Sequence, residues 1–232
     1  MKRIVLTLSL MLCALAVSAQ PDFSNLRYGL RGGIGIGSVD THHDGDLNTM
    51  GGFAYSLGVV AEMPVWKAVR LTAEVNFEHT SVSDHSKSMH MEGTGMTGVT
   101  VFEDTKVKFP LTYIHIPVLA RVCFLEEILY VEAGPQIGIL AGKVKTHTES
   151  KVTTKANIGG SNTVSNITDS DDTDHFTKGQ FALALGWGLN ISRYSIGMRA
   201  GIGIGDIQAE DYKLDGYRVN HTDFQIALRY WF

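Results

Sequence analysis

The sequence predicts an all-β fold, an eight-stranded antiparallel up-and-down barrel that crosses a membrane with its strands. Three observations carry this expectation. Large apolar residues alternate with small or charged ones at period two in eight segments, each of about the ten residues a tilted strand needs to span a bilayer. The connections between those segments alternate between short and long. The 232 residues include 25 glycines and 44% hydrophobic but only 19% charged residues. The resulting mean hydropathy of +0.03 is the average of two opposed faces.

The same figures exclude other classes. A disordered chain has fewer apolar residues or a larger net charge than -4. Two cysteines do not make a disulfide scaffold. A polytopic helical membrane protein needs several long apolar runs, and one stretch near the N-terminus alone comes close. An acidic balance argues against nucleic acid as a partner.

Residues 1–19 are expected to be a removable export signal. Lys2 and Arg3 form its basic start, Ile4 to Val17 its apolar centre, and Val17-Ser18-Ala19 a cleavage site before Gln20. A lipoprotein signal at Cys13 fits poorly, because Leu12 sits where a small residue is wanted. Cleavage removes Cys13, so Cys123 is the single thiol of the mature chain and is expected to be a small buried apolar residue. Residues 20–232 then form one barrel domain.

The eight segments follow in order. In residues 27–37, Tyr28, Leu30, Ile34 and Ile36 alternate with Arg27, Arg31 and glycines. In 53–63, Phe53, Tyr55, Leu57, Val59, Ala61 and Met63 oppose Ser56, Gly58 and Glu62. In 69–79, Leu71, Ala73, Val75 and Phe77 oppose Arg70, Thr72, Glu74, Asn76 and Glu78, the cleanest alternation of all. Residues 109–122 set Ile114, Ile116 and Val118 against His115, Pro117 and Arg121. Residues 129–141 set Val131, Ile137 and Ile139 against Tyr130, Glu132 and Gly138. Residues 180–191, 194–204 and 222–232 continue the pattern, with Arg199, Asp223 and Arg229 on the polar side.

A soluble barrel of the lipocalin kind is the alternative. It would present a solvated outer face, whereas this polar face is dominated by Gly, Ala and Ser with interspersed charges. Small and charged residues suit the cramped interior of an eight-stranded barrel, and the apolar face then meets lipid. Closure also removes sheet edges, which lipid cannot satisfy. Short turns at 64–68, 123–127 and 192–193 and long polar loops at 38–52, 80–108, 142–179 and 205–221 place both termini in the periplasm. Aromatics sort into two expected girdles. Tyr28, Trp66, Phe124, Tyr130, Tyr194 and Tyr230 lie near the short turns; Phe53, Tyr55, Phe77, Phe109, Phe181 and Phe224 lie near the long loops.

The inward face carries Arg27, Arg31, Arg70, Arg121, Arg199 and Arg229 against Glu62, Glu74, Glu78, Glu132 and Asp223. In a narrow lumen such charges must pair or stay hydrated. The expectation is an ion-paired, closed interior, with a narrow pore as the alternative.

The chain ends on Phe232, preceded at intervals of two by Tyr230, Leu228, Ile226 and Phe224. This resembles the C-terminal signature by which bacterial outer-membrane barrels are recognised by their assembly machinery. Residues 113–121, Tyr-Ile-His-Ile-Pro-Val-Leu-Ala-Arg, are similar to the Ile-Pro-centred fourth strand of the PorT-like outer-membrane β-barrel proteins. Residues 130–138, Tyr-Val-Glu-Ala-Gly-Pro-Gln-Ile-Gly, resemble that family's next strand. His115 departs from the acid often found there. The resemblance implies an eight-stranded barrel in the bacterial outer membrane. Some members are linked to secretion, a role that two strand motifs do not carry over.

Chemistry-bearing motifs are sparse. His42 and His43 sit with Asp40, Asp44 and Asp46; His85 and His90 flank Met89 and Met91; His175 follows Asp169, Asp171, Asp172 and Asp174. No pair has a rigid spacing, so solvated loop composition is the expectation rather than a metal site. Residues 77–81, Phe-Glu-His-Thr-Ser, are similar to the His-x-Ser element of outer-membrane lipid A deacylases. His79 and Ser81 would face lipid, but Val82 stands where that element has Asn. The glycine runs at 32–37 and 201–205 open no helix and lack a following GK[ST], so they are strand glycines. The expected protein is therefore no enzyme, holds no cofactor, and has a structural, binding or accessory role at the cell surface. Its expected partners are outer-membrane lipids, the barrel-assembly machinery and a surface ligand or complex. A lipid-modifying enzyme is the alternative.

Overall fold

The computed structural model describes residues 25–43, 46–92, 99–156, 160–209, 211 and 217–232, so the export signal expected at 1–19 lies outside the described residues. Ten strands follow one another: β1 (Arg27–His43), β2 (Asp46–Trp66), β3 (Val69–Glu92), β4 (Val99–Phe124), β5 (Leu129–Leu140), β6 (Lys145–Ala156), β7 (Ser161–Asp171), β8 (Gly179–Ile191), β9 (Tyr194–Gly203) and β10 (Tyr217–Trp231). Eight of them pair antiparallel in a closed ring, β1-β2-β3-β4-β5-β8-β9-β10 and back to β1. Among the described residues no helix is long and apolar enough to cross a membrane.

Parity sorts the ring's side chains. Leu57 is 67% exposed while its neighbour Ser56 is 4% exposed. Ile34, Val75, Val131, Leu185, Ile196 and Leu228 all point outward, and Arg31, Glu74, Glu132, Arg199 and Arg229 are buried inside. This inverts the usual soluble arrangement, in which burial removes apolar surface from water.

The turns between β2 and β3, β4 and β5, and β8 and β9 are short. They hold all five non-glycine residues of positive φ among those described, namely Lys67, Leu125, Glu126, Glu127 and Ser192. Tight reversals between right-twisted strands require such backbone.

All four predicted long loops contain strand where none was expected, the last of them residues 217–221 of β10. β1 and β2 remain paired out to His43 and Asp46, and β3 and β4 out to Glu92 and Val99. β4 has 26 residues, far more than the ~10 needed to cross a bilayer. Beyond the bilayer both faces of a strand meet water, so the alternation of apolar and polar residues lapses while Thr, Val and Phe still favour extended backbone. The loop at 142–179 contains the β6–β7 hairpin, which lies outside the ring and pairs along the outer part of β4 through Lys108↔His147 to Val99↔Ala156.

Two prolines interrupt one stretch of the ladder. β4 and β5 pair at Pro117↔Gln136 and resume at Ala120↔Ala133, so the ladder skips Val118 and Leu119 on one strand and Gly134 and Pro135 on the other. Proline has no N–H to donate. The Ile-Pro and Gly-Pro strands thus face each other across one shared break.

Candidate functional site

The interior of the ring is built in tiers. At the end with the short turns, Glu62 of β2 accepts from Arg27 Nε at 2.9 Å, from Arg70 Nη1 at 3.1 Å and from Thr72 Oγ1 at 3.2 Å. Arg121 Nη1 of β4 lies 2.8 Å from the same carboxylate. Arg70 also pairs with Glu127 in the β4–β5 turn. The Arg27 guanidinium covers the Trp231 ring at 4.2 Å, and that of Arg121 covers Tyr130 at 4.2 Å.

The central tier is held by two carboxylates. Glu74 of β3 accepts from Arg199 Nη1 at 2.7 Å and Nη2 at 2.9 Å, from Arg229 Nε at 3.0 Å and Nη2 at 2.8 Å, and from Asn76 Nδ2 at 2.8 Å. Glu132 of β5 accepts from Arg121 Nη2 at 2.9 Å, Arg199 Nη2 at 2.6 Å and Arg229 Nη2 at 2.8 Å. Arg229 Nη1 donates to Tyr130 Oη at 3.0 Å. Arg31 bonds Ser56 Oγ at 2.7 Å and lies 3.6 Å from Glu74. Glycine makes the room: Gly186 stands opposite both Glu132 and Arg199, and Gly58 opposite Arg31. A Cβ on Gly186 would lie 3.1 Å from Glu132 Oε1. Carboxylates and guanidiniums removed from water are tolerated only when each finds several partners, as here.

Glu78 and Asp223 stand apart. Among the described residues no arginine or lysine lies within ion-pair distance of either. Glu78 Oε2 lies 3.2 Å from His115 Nδ1 and accepts from Gln225 Nε2 at 2.5 Å; Gln225 Nε2 also reaches Asp223 Oδ2 at 3.3 Å. His221 stands beside this group, 3.5 Å from Gln180 Nε2 through its Nδ1. The charged residues named from the sequence therefore divide, with the six arginines and three glutamates linked in the lower tiers and two carboxylates linked to histidine and glutamine above. The sequence places His221 in a loop and Glu127 in a turn. Parity with Asp223 is the sequence signal for His221; no local pattern marks Glu127 as a partner of Arg70.

An apolar lid closes the end with the long hairpins. Val39, Val82, Phe109, Leu111, Tyr113, Val144 and Ile207 form a buried cluster. Ile207 enters from the segment after β9, held by Ile207 N to Val219 O and Thr177 N to Ile207 O, both 2.8 Å. The inner ends of the β1–β10 and β3–β4 pairs therefore carry an ordinary hydrophobic core above a polar one.

Other sequence features take these places. Phe224, Ile226, Leu228 and Phe232 of the C-terminal signature point outward and Tyr230 is half-exposed. Tyr28, Trp66, Phe124 and Tyr194 are exposed near the short turns, as are Phe53, Tyr55, Phe77 and Phe181 toward the hairpins. Tyr130 and Phe109 belong to neither girdle: both are buried inside, because parity and not height decides where a strand residue points. Cys123 is a buried free thiol. His79 faces outward with Nδ1 on the Thr112 hydroxyl at 2.9 Å, and Ser81 is exposed. His85 bonds Asp104 at 2.6 Å and His147 bonds Asp169 at 2.6 Å. The cluster at His42, His43, Asp44 and Asp46 lies outside the residues whose side chains are described.

No curated protein matches the chain. Solved structures that align with it include Ail, the attachment invasion locus protein of Yersinia pestis, in complex with the heparin analogue sucrose octasulfate. It is 14% identical, over 88% of this chain and 99% of that one, with a TM-score of 0.35. Neisserial surface protein A is 10% identical over 88% of this chain and 97% of that one, also with a TM-score of 0.35. The translocator domain of the autotransporter NalP from Neisseria meningitidis is 11% identical over 97% and 95%, with a TM-score of 0.28. These likenesses are too distant to carry an argument. The family model described as outer membrane protein beta-barrel domain matches residues 18–219. That match spans most of the chain, which belongs to this family of outer-membrane β-barrel proteins.

Proposed function

We propose that the chain is a non-catalytic, non-conducting outer-membrane barrel that presents its outer hairpins to a partner at the cell surface. The eight-strand ring spans the bilayer, the short turns face the periplasm, and the β1–β2, β3–β4 and β6–β7 hairpins stand outside. One contrast carries the reading. The interior is filled by paired charges below an apolar lid, while every residue of β7 is exposed and its outer edge is unpaired among the described residues. A filled ring favours no path for solute, and an unpaired exposed edge offers backbone groups to another chain. Within the family, the facing Ile-Pro and Gly-Pro strands support a place near the PorT-like proteins. Lipid modification is the weaker reading, because a hydroxyl and not a carboxylate orients His79.

The test has two readouts. Purified protein in planar bilayers should give no stable conductance steps, and protease added to intact cells should cleave within residues 145–171. Porin-like steps would overturn the closed interior; a hairpin protected in intact cells and cleaved only in lysed ones would overturn its surface placement. Unchanged lipid A acylation with and without the protein, read by mass spectrometry, is the expected result for a non-enzyme.

A further inference from the structure

Three donors converge just beneath the lid. One ligating atom each from Glu78 of β3, His115 of β4 and His221 of β10 lies within 4.8 Å of the other two. No other group of three histidine, cysteine or carboxylate donors comes this close among the described residues. All three side chains are almost fully buried, His115 at 2%, His221 at 1% and Glu78 at 4% exposed.

Each of the three also presents an unpartnered atom. His115 Nε2, His221 Nε2 and Glu78 Oε1 are buried and have no hydrogen-bond partner. A buried polar atom left unpaired is costly, so protein partners alone do not satisfy this group. The hydrogen bonds that do exist fix the rings. His115 is held through Nδ1 by Glu78 and His221 through Nδ1 by Gln180, at 3.2 and 3.5 Å. Gln180 orients His221 as an outer partner orients a metal-binding histidine, while Glu78 Oε2 and His115 Nδ1, 3.2 Å apart, already stand at the spacing of two donors on one ion. Tyr113 stacks on both rings, with centroids 5.6 and 5.8 Å away.

Charge and space agree with this. Glu78 and Asp223, bridged by Gln225, have no arginine or lysine within ion-pair distance among the described residues, unlike every carboxylate below them. The backbone is also cut away around the imidazoles. A Cβ on Gly138 would lie 2.8 Å from His115 Cδ2, and one on Gly37 would lie 3.3 Å from His221 Nε2.

We propose that Glu78, His115 and His221 bind one divalent transition-metal ion of the zinc class inside the barrel. Two imidazoles and one carboxylate are a donor set that zinc accepts, with a fourth position left for water. Tetrahedral zinc needs donors about 3.3 Å apart, given bonds of about 2.0–2.1 Å. Donors as far as 4.8 Å apart must therefore close by up to about 1.5 Å, within the reach of χ rotation. The ion ties β10 to β3 and β4 across the interior, under the lid, and so braces the ring where the arginine network ends. Calcium and magnesium are disfavoured because they select oxygen donors.

The test uses the full-length folded protein in detergent, stripped with chelator, dialysed, and titrated with zinc by calorimetry and with cobalt by visible absorption. Heat-shifted gel migration reports folding throughout. The expected result is one ion per chain, with tetrahedral cobalt bands. His115→Gln and His221→Gln should each weaken binding at least tenfold, while the surface double variant His85→Ala/His147→Ala binds unchanged. Because a metal bound to the folded state alone stabilises it by mass action, zinc at 100 times Kd should raise the folded-to-unfolded ratio about a hundredfold. Folded wild-type protein that binds neither ion at micromolar concentration overturns the proposal without recourse to any variant. So does binding abolished by the surface pair and kept by the interior variants. Neither result bears on the surface role, which rests on the outer hairpins.

Discussion

Glu74→Gln is the sharpest perturbation of the interior. Glu74 accepts four hydrogen bonds from Arg199 and Arg229 and one from Asn76, and Arg31 stands 3.6 Å away. The amide keeps the shape but removes the charge, and its NH2 group turns donors toward guanidinium donors. Hydrogen bonds to a charged group contribute ~1.5–3 kcal/mol each, but adding them overstates the loss, since Glu132 still pairs with Arg199 and Arg229. The better guide is the ~3–5 kcal/mol cost of leaving a buried ion pair without one partner. Urea unfolding of the protein in lipid vesicles, followed by tryptophan fluorescence, should show a loss in this range. The exposed control Glu103→Gln should stay within ~0.5 kcal/mol. Adding Arg199→Gln to Glu74→Gln should cost less than the sum of the two single changes, with ~0.5–3 kcal/mol of coupling. A Glu74→Gln loss below ~0.5 kcal/mol would refute the view that this carboxylate neutralises the central tier.

Two further outcomes are expected. Val75→Arg places a charge in the middle of the outward apolar band and should cost ~2–4 kcal/mol in the same assay; a neutral effect would mean that this face does not meet lipid. In the outer β3–β4 hairpin, the hydrogen bond from His85, with Lys87 and Lys106 nearby, holds Asp104 below the usual carboxylate range. A carboxylate with a depressed folded value contributes stability above its unfolded pKa of about 3.9 and loses it as pH falls through the folded value. Amide protection factors in residues 85–92 and 99–104, with the pH dependence of intrinsic exchange divided out, should therefore fall below about pH 4, and unchanged protection would remove the pair from the account.

The bilayer determines what the sequence revealed. Where a strand separates lipid from a packed interior, each side chain must suit one side or the other, so Leu57 and Ser56 or Val75 and Glu74 can be assigned by counting. Outside the membrane that constraint ends, which is why β1 to β4 run well past their predicted limits and the β6–β7 hairpin lay within a predicted loop. Tyr130 and Phe109 were assigned to girdles by height although their parity pointed inward, and inward is where they lie. The eleven interior charges could be named from parity, but not their partition. The registers that set Gly186 against Glu132 and Arg199, or bring His221 to Glu78 across β1 and β2, depend on strand stagger, which no local pattern encodes. Glu127 pairs with Arg70 only because a tight turn folds back beneath the ring.

The three tryptophans, Trp66, Trp187 and Trp231, test the central claim most directly. Trp187 lies outward in the middle of β8, Trp66 outward at a short turn, and Trp231 inward at 3% exposure with Nε1 on Ser195 Oγ at 2.8 Å. Single-tryptophan variants, with the other two changed to Phe, are reconstituted in bilayers brominated at defined depths along the acyl chain. An outer-membrane barrel with a filled polar interior requires Trp187 to be quenched by bromines near the bilayer centre, Trp66 by bromines near the interface, and Trp231 by neither. Strong quenching of Trp231, or none of Trp187, would contradict the assignment of the two faces.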